Sequence, residues 1–472
     1  MKTLEQSGLN SINGPQESIE TELLIDKLVP GGLGLARLSG EVVLVPRTLP
    51  GERVWAIIRP GPGGLKRAEI LKVLEASPVR RSYDCPLAGL CGGCDFLHVR
   101  PEESLHLKAR AALGPLAERF ELELELIQSP LTERYRHRAT LHLGLDSNAS
   151  PRLGFFDAHR NILEIGDCRL LDSELEKLLK PLAHWAAEIT GLPSGRGQEI
   201  EVGLMREVEG PGSAVCFAPP PPKHQRGKKT SQPALSAGFL AALADVPSFL
   251  ASQGLKDISV FAKAIRSAPP RRLSREGSDH LNVAFWPQWD LALKVKPGGF
   301  TQVNPAVNML MVSEIIREAE KLPANKRTVL DLYAGLGNIS IPLAKSGFWV
   351  TAVEQAPEGV AAARENSRGL SNFSMICGRS EKEAAALAKQ GKEFGLLVLD
   401  PPRSGAKDMA PILGGLQAEK IIYVACHPAV LERDLPAFIS LGYRLSRLTA
   451  FDMFPRTSHL EALAVLERDF RR

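Results

Sequence analysis

The stretch "VLDLYAGLGNISIPLA" (Val329–Ala344) decides the fold class of this chain. It begins as an apolar strand, passes through a turn that contains Gly335 and Gly337, and continues as an apolar helix. Because glycine lets the backbone turn tightly and approach a ligand, the pattern is typical of a nucleotide-binding turn at the carboxyl edge of a parallel sheet. The strand-like stretches "WVTAVE", "FGLLVLD" and "KIIYVAC" follow, separated by helical sequence. This alternation predicts a doubly wound, Rossmann-like α/β domain.

Two classes of cofactor fit such a turn, the nicotinamide dinucleotides and S-adenosylmethionine. The strand after the turn ends in Glu354, and an acidic group there suits the hydroxyls of a ribose. A dinucleotide fingerprint needs a third glycine where this chain has Ser340. After the fourth apolar strand, "LLVLDPPRSG" (Leu396–Gly405) contains Asp400 and two prolines, which resembles the catalytic loop of adenosylmethionine-dependent methyltransferases. Arg403 stands where the amino-methylating branch has an aromatic residue, so methylation of an exocyclic amine is disfavoured.

A cysteine, Cys426, follows the next apolar strand in "YVACHPAVLERD" (Tyr423–Asp434). Taken alone, it is a small core residue. Carbon 5 of uracil, however, is too weak a nucleophile to take a methyl group unaided, and addition of a thiolate at carbon 6 activates it. A base must afterwards remove the proton from carbon 5. Glu461, in "FDMFPRTSHLEALAVLE", supplies a carboxylate beyond the cofactor motifs, although taken alone it is a solvated helix residue.

Five motifs in order resemble those of the RNA (uracil-5-)-methyltransferase family: "GGFTQVNP", "LDLYAGLGNISIPLA", "VLDPPRSG", "YVACHPAVLERD" and "FDMFPRTSHLEALA". The resemblance spans nearly the whole chain. It implies S-adenosylmethionine as the cofactor, Cys426 as the nucleophile and Glu461 as the general base. It also implies the residues around the cofactor and the target base: Phe300, Gln302, Tyr333, Gly335, Gly337, Asn338, Glu354 and Asp400. The chain departs from the family at His427, where asparagine is usual, and at Ala334, where cysteine is frequent.

Other cysteines cluster nearer the N-terminus, in "CPLAGLCGGC", where Cys85, Cys91 and Cys94 are followed at a distance by Cys168. Neighbouring thiols indicate a metal site, and their spacing leaves zinc and an iron–sulfur cluster both open. The family resemblance implies a [4Fe–4S] cluster, which part of the family contains. Methyl transfer needs no redox step, so a structural role, or help in holding RNA, is expected for it. Two cysteines outside these motifs are predicted to be ordinary buried residues: Cys216 and Cys377.

The 472-residue chain is long enough for several domains. Residues 1–18 are predicted to be a disordered tail, and the proline-rich basic run Ala218–Pro233 a loop. Five short strands near the N-terminus predict an OB-like β-barrel, whose sequence "LVPGGLGLARLSGEVVLVPRTLPGERV" resembles the TRAM domain of RNA-modifying enzymes. Three domains are predicted, with these boundaries: the barrel at 19–77, a mixed α+β central domain with the four cysteines at 78–97 and 130–297, and the methyltransferase domain at 98–129 and 298–472.

RNA is the predicted partner. The net charge of +4 permits a nucleic-acid partner without establishing one. The barrel and basic runs such as Arg134–Arg138 favour RNA, and a uridine attacked at carbon 6 must leave its stack, in a loop or by flipping. Family members with both barrel and cluster most often resemble the 23S ribosomal RNA enzymes, while transfer RNA is the alternative substrate.

Other classes are less well supported. A non-catalytic RNA-binding or assembly factor could retain this fold, but the intact Cys426 and Glu461 argue against it. Cytosine-5 methylation of RNA is disfavoured, because the family that performs it has a Pro-Cys motif after the fourth strand. This chain has Asp400-Pro401-Pro402 there, without a cysteine. No apolar run reaches the length of a membrane span and no signal peptide is visible, so the cytoplasm is the expected location. The protein is expected to be a monomer.

Overall fold

A computed structural model describes residues 19–83, 85–193, 198–221 and 233–469. The predicted tail and most of the predicted proline-rich loop lie outside these residues. The N-terminal part is a closed barrel in which the strand order is β1-β2-β3-β5-β4. Its strands are β1 (Ile19–Val29), β2 (Leu33–Leu38), β3 (Glu41–Val45), β4 (Arg53–Pro60) and β5 (Lys66–Glu75). Alternate residues of these strands fill the barrel, as the period of two in a strand requires: Leu23, Ile25, Val43, Val45, Val54, Ala56 and Ile58.

A long helix and a short strand follow, α1 (Pro101–Arg119) and β6 (Leu124–Ile127). Proline at the first helical position, with Glu102 and Glu103 in the first turn, favours a helix start at this point. Although they precede the central part of the chain, both elements pack with the C-terminal domain, where β6 forms one edge of the main sheet.

The central part is built on a seven-stranded sheet of order β13-β12-β11-β10-β7-β8-β9. Its strands are β7 (Arg138–Leu145), β8 (Pro151–Phe156), β9 (Ile162–Glu164), β10 (Ile200–Arg206), β11 (Ser213–Ala218), β12 (Ile258–Ala262) and β13 (Arg271–Arg272). The helices packed with it are α2 (Ser173–Glu176), α3 (Leu179–Ala187), α4 (Ala237–Ala242) and α5 (Val246–Ser252). A separate hairpin, β14 (Leu281–Trp286) with β15 (Leu291–Val295), leads into the C-terminal domain. Cys216 is buried as predicted, whereas the prediction for Cys377 is wrong, because its side chain is exposed at the end of an edge strand.

The C-terminal domain alternates strands and helices. Its helices are α6 (Pro305–Glu320), α7 (Ser340–Lys345), α8 (Pro357–Asn366), α9 (Ser380–Lys389), α10 (Ala410–Leu413) and α11 (Ala429–Ile439). Its strands are β16 (Thr328–Leu332), β17 (Trp349–Glu354), β18 (Phe373–Cys377), β19 (Leu396–Leu399), β20 (Lys420–Ala425), β21 (Tyr443–Phe451) and β22 (Glu461–Arg468). Every residue of β19 and β20 is buried, as expected for parallel strands covered on both faces.

The strand order of the C-terminal sheet is β18-β17-β16-β19-β20-β22-β21-β6. The first five strands are parallel, so their carboxyl ends meet at one edge of the sheet. After β18 the chain crosses to the other side of β16, which creates a topological switch point between β16 and β19, the usual place for a ligand in such sheets. The predicted fold class is confirmed: a Rossmann-like domain, an N-terminal barrel and a mixed α+β central part. No helix within the described ranges is long and apolar enough to cross a membrane.

Candidate active site

Cys426 and Glu461 lie on two neighbouring strands of the C-terminal sheet. Cys426 follows the last residue of β20, and Glu461 is the first residue of β22. The two strands are antiparallel, and the final pair of their ladder joins Ala425 to Ala462. Cys426 directly follows this pair on one strand and Glu461 directly precedes it on the other, and the Glu461 charge acts on the pKa of the thiol, so the two side chains are neighbours. The structure therefore brings together the predicted nucleophile and the predicted base.

Two carboxyl groups near the thiol are held in an environment that favours their neutral form. Glu461 is buried, and this burial, with the neighbouring Asp400 charge, raises its pKa well above the usual range. Asp400 follows β19, the strand next to β20, and burial raises its pKa to about 7. Carboxyl groups with raised pKa values are suited to exchanging protons near neutral pH.

The Cys426 thiol is half-buried, and its burial raises its pKa to about 11. Glu461 and Asp400 raise it as well, because both carboxylates disfavour a second negative charge beside them. The positive charge of Arg403 acts in the opposite direction and favours the thiolate. The sequence had indicated only that Arg403 disfavours amine methylation. Its effect on the pKa of the thiol became visible in the structure. His427, the departure from the family pattern, is exposed beside the thiol.

The glycine-rich turn lies where β16 ends. Tyr333 adopts a left-handed backbone with φ of 66°, which is uncommon for a residue with a side chain and is held in place by its surroundings. Its backbone N–H donates to the Ser380 hydroxyl (3.2 Å), and its own hydroxyl donates to Glu381 (3.0 Å). Gly337 also has a positive φ, 92°, and a Cβ there would lie 2.4 Å from the Ile341 side chain. This turn therefore requires glycine at position 337.

The carboxylate of Glu354 lies beside the same turn. It accepts the backbone N–H of Gly335 (3.0 Å) and that of Ala356 (2.6 Å). A carboxylate can accept about four hydrogen bonds, so capacity remains for two ribose hydroxyls. A Cβ at Gly335 would meet no atom within 4 Å, which leaves open space for a ligand against this part of the backbone.

The other predicted ligand-binding residues differ in their surroundings. Asn338 and Asn308 of α6 exchange two side-chain hydrogen bonds of 2.8 Å each. Gln302 is half-buried. Phe300 is 71% exposed, and the Arg138 guanidinium lies 5.1 Å from the centre of its ring. An exposed aromatic ring beside a cation is an arrangement that stacks on a base.

One buried acid in this region was missed by the sequence analysis. Asp331, inside β16, is fully buried, accepts a hydrogen bond from the Ser340 hydroxyl, and has no partner for its other oxygen among the residues described. Burial raises its pKa to about 7. The sequence does mark this residue, because an aspartate is unusual inside an otherwise apolar strand.

The four clustered cysteines meet in the central part. Cys85, Cys91, Cys94 and Cys168 line one cavity of about 300 Å³. Arg136 lines it too, and its Nε is buried with no hydrogen-bond partner in the described part of the chain. Across the described ranges, no three Cys, His, Asp or Glu side chains are arranged to hold a single metal ion. The four predicted ligands thus lie on the wall of one cavity.

Comparisons with known proteins agree with this geometry. A family model described as tRNA (Uracil-5-)-methyltransferase matches residues 279–469. A 23S rRNA (uracil(1939)-C(5))-methyltransferase RlmD from Shewanella amazonensis is 34% identical over 94% of this chain and 95% of its own length. A protein of the same name from Pseudomonas fluorescens is 33% identical over 94% of this chain and 91% of its own length.

A solved structure has the same fold. The Pyrococcus abyssi tRNA (uracil-54, C5)-methyltransferase, in complex with S-adenosyl-L-homocysteine, aligns with a TM-score of 0.67 over 94% of this chain and 99% of its own. Its sequence identity of 21% supports the fold alone. The curated relatives, by their identity and coverage, settle the family: this chain belongs to the RNA (uracil-5-)-methyltransferases, as the sequence motifs predicted.

Proposed function

We propose that this chain transfers a methyl group from S-adenosylmethionine to carbon 5 of a uridine in 23S ribosomal RNA, with Cys426 as the nucleophile and Glu461 as the base. The observation that carries the proposal is that the β20–β22 ladder ends at Ala425 and Ala462, directly beside Cys426 and Glu461, and that the Glu461 charge raises the pKa of the Cys426 thiol. A thiol alone has many roles in proteins, whereas a thiol facing a buried carboxyl beside a cofactor turn fits this reaction.

The proposed reaction has three steps. The Cys426 thiolate adds to carbon 6 of uracil, and the displaced electron pair forms an enolate across carbon 5 and oxygen 4. Carbon 5 then forms a bond to the methyl carbon, and the bond between that carbon and the sulfonium sulfur breaks, so that S-adenosylhomocysteine leaves. Glu461 removes the proton from carbon 5, the C–H electron pair restores the double bond, and the bond between carbon 6 and sulfur breaks. Arg403 supports the first step, since its charge favours the thiolate.

S-adenosylmethionine supplies the methyl group as part of a cationic sulfonium. The residues proposed to hold it surround the switch point of the sheet. Glu354 accepts ribose hydroxyls, the backbone at Gly335 and Gly337 provides a surface for close approach, and Tyr333 and Asp400 follow the neighbouring strands β16 and β19. Gln302 and Asn338 complete the pocket, and Phe300 stacks on the target base. The fit is supported by the open space at Gly335 and by the remaining acceptor capacity of Glu354.

We propose a [4Fe–4S] cluster at Cys85, Cys91, Cys94 and Cys168. A single zinc ion holds its thiolates close together, with Zn–S distances of about 2.3 Å. A cluster would occupy more space than one ion, and the cavity of about 300 Å³ that the four thiols line has room for it. The unpaired Nε of Arg136 offers a donor to a cluster sulfur. The cluster's role is structural, because methyl transfer requires no electron transfer.

The choice of 23S ribosomal RNA rests on the curated relatives, whose names specify that substrate. The N-terminal barrel is proposed to be a TRAM domain that holds the RNA, with the target uridine flipped out of its stack. The enzyme is proposed to act as a monomer in the cytoplasm.

The test is nucleoside mass spectrometry. Unmodified 23S ribosomal RNA and unmodified transfer RNA are each incubated with the protein and S-adenosylmethionine, with Cys426→Ala as the inactive control. New 5-methyluridine in the ribosomal RNA alone is expected. Its appearance in transfer RNA alone would move the substrate to the alternative. Its absence from both would favour a non-catalytic RNA-binding factor.

A further inference from the structure

We propose that Asp95, the residue after Cys94, is a positioning residue for Glu461 and acts by anchoring the loop that precedes it. This inference rests on the proposed role of Glu461 as the base. The loop, residues 452–460, joins β21 to β22 and has neither helix nor strand structure. We call it the base loop.

Asp95 fastens the base loop three residues before Glu461. The backbone N–H of Ser458 donates to one carboxylate oxygen of Asp95 (2.6 Å), and the Ser458 hydroxyl donates to the other (2.5 Å). Ser458 itself is buried, so this two-point contact fixes both its backbone and its side chain. Hydrogen bonds to a charged acceptor are about twice as strong as those between neutral groups.

Neighbouring contacts show that the base loop depends on other parts of the chain for its shape. The Phe96 backbone N–H donates to the Arg456 carbonyl (3.2 Å), and the Tyr135 hydroxyl donates to the Pro455 carbonyl (3.0 Å). Arg456 has a φ of 65°, a left-handed conformation that persists only when the surroundings impose it. The loop's conformation is therefore imposed from outside, and residues 95 and 96 impose part of it.

The same residues connect the base loop to the cysteine cavity. Asp95 follows Cys94 in sequence, and both Cys94 and Arg456 line the cavity. Whatever fills the cavity and orders the turn at Cys94 therefore also orders Asp95. Through Asp95, the structure around the thiols thus helps to position the proposed base, Glu461. This role of the cavity requires no electron transfer.

The contact between Asp95 and the base loop predicts which reaction step fails when Asp95 is replaced. Addition of Cys426 to carbon 6 and methyl transfer do not use Glu461. Proton removal from carbon 5 does, and until that proton leaves, the bond between carbon 6 and sulfur cannot break. A displaced Glu461 therefore leaves the methylated RNA covalently attached to Cys426.

The experiment compares variants of the full-length protein, purified without oxygen and with metal content measured. Asp95→Ala removes both acceptors; Asp95→Asn keeps the shape and an amide oxygen for the Ser458 N–H. With the RNA substrate found for the wild type and S-adenosylmethionine, we expect Asp95→Ala to lower kcat by about ten- to hundredfold, the effect of a base displaced by about 1 Å. The KM for RNA should change by less than about twofold, because binding groups are untouched. The fraction of enzyme in covalent adduct, seen on a denaturing gel, should rise as it does in Glu461→Gln, and Asp95→Asn should restore most of the turnover.

Asp167→Ala is the matched control. Asp167 stands beside Cys168 as Asp95 stands beside Cys94, lines the same cavity, and has no hydrogen bond to the base loop among the residues that the structure describes. This variant should form no excess adduct. Equal accumulation in Asp167→Ala, or a raised KM without adduct in Asp95→Ala, would overturn the proposal. If Asp95→Ala does not fold, Ser458→Ala removes one of the two bonds and is read in the same way. If the wild type itself forms no 5-methyluridine, the proposed function fails instead.

Discussion

Replacing Lys108 by methionine tests the anchoring of the base loop from its other side. The Lys108 ammonium lies 2.6 Å from a carboxylate oxygen of Asp452, and both side chains are 1% exposed. It also donates to the carbonyls of Phe454 (3.1 Å) and Thr457 (3.2 Å). Methionine fills a similar volume but leaves the Asp452 carboxylate buried without its counter-ion, and breaking such a pair costs about 3–5 kcal/mol. The melting temperature should therefore fall by at least about 6 °C, given about 2–4 °C per kcal/mol for a folding unit of some 200 residues.

Differential scanning fluorimetry of the variants at one protein concentration measures the effect. Lys326→Met is the control, since the pair of Lys326 with Glu419 is longer, at 3.4 Å, and its side chains are 35% and 24% exposed. Its loss should cost less than about 1 kcal/mol. Adding Asp452→Leu to Lys108→Met should recover most of the loss, because a buried ion pair replaced by apolar residues is often neutral. A shift for Lys108→Met no larger than that of the control would refute the claim that this pair fastens the base loop.

Three further predictions concern the proposed chemistry. Glu461→Gln should lower kcat by about 10²–10⁴-fold and accumulate covalent adduct. Burial raises the pKa of the Glu461 carboxyl, so its ionisation destabilises the folded wild type as the pH rises. The variant should therefore melt no lower than the wild type at pH 8. Arg403→Ala removes the cation that lowers the pKa of Cys426, so the rise of kcat/KM with pH should move to higher pH. The rate at pH 7 should fall by tenfold for about one pKa unit, and Arg403→Lys should stay close to the wild type. A pH profile that does not move in Arg403→Ala would contradict this role. Cys94→Ser should lower the iron and sulfide content of protein purified without oxygen. Stoichiometric zinc and no iron in the wild type would show that the four thiols hold zinc and not a cluster.

The sequence predicted the sheet and the order of its motifs because the apolar strands and the glycine turn are local signals. It did not predict the secondary structure at Glu461. The stretch "EALAVLER" is rich in good helix formers, yet it forms β22, whose first six residues are buried. Tertiary context overrides helix propensity here, since the strand is enclosed between β20 and β21.

The sequence did not predict the long-range contacts of the base loop either. Lys108 lies 344 positions from Asp452, and Asp95 lies 363 positions from Ser458. No periodicity or motif in the sequence signals such a pairing, because each residue taken alone is an ordinary charged or polar surface residue. The cysteine spacing, in contrast, predicted a group of thiols, but the cavity that they line depends on the fold of the central part.

Trapping the covalent intermediate tests directly whether Cys426 is the nucleophile. The protein is incubated with S-adenosylmethionine and an RNA whose target uridine is replaced by 5-fluorouridine, because fluorine at carbon 5 cannot be removed by a base as a proton can. Peptide mapping by mass spectrometry then locates the attached nucleotide. We expect a methylated fluorouridine on Cys426 in the wild type and no adduct in Cys426→Ala. Adduct on another residue, or 5-methyluridine formation by Cys426→Ala with natural RNA, would contradict it.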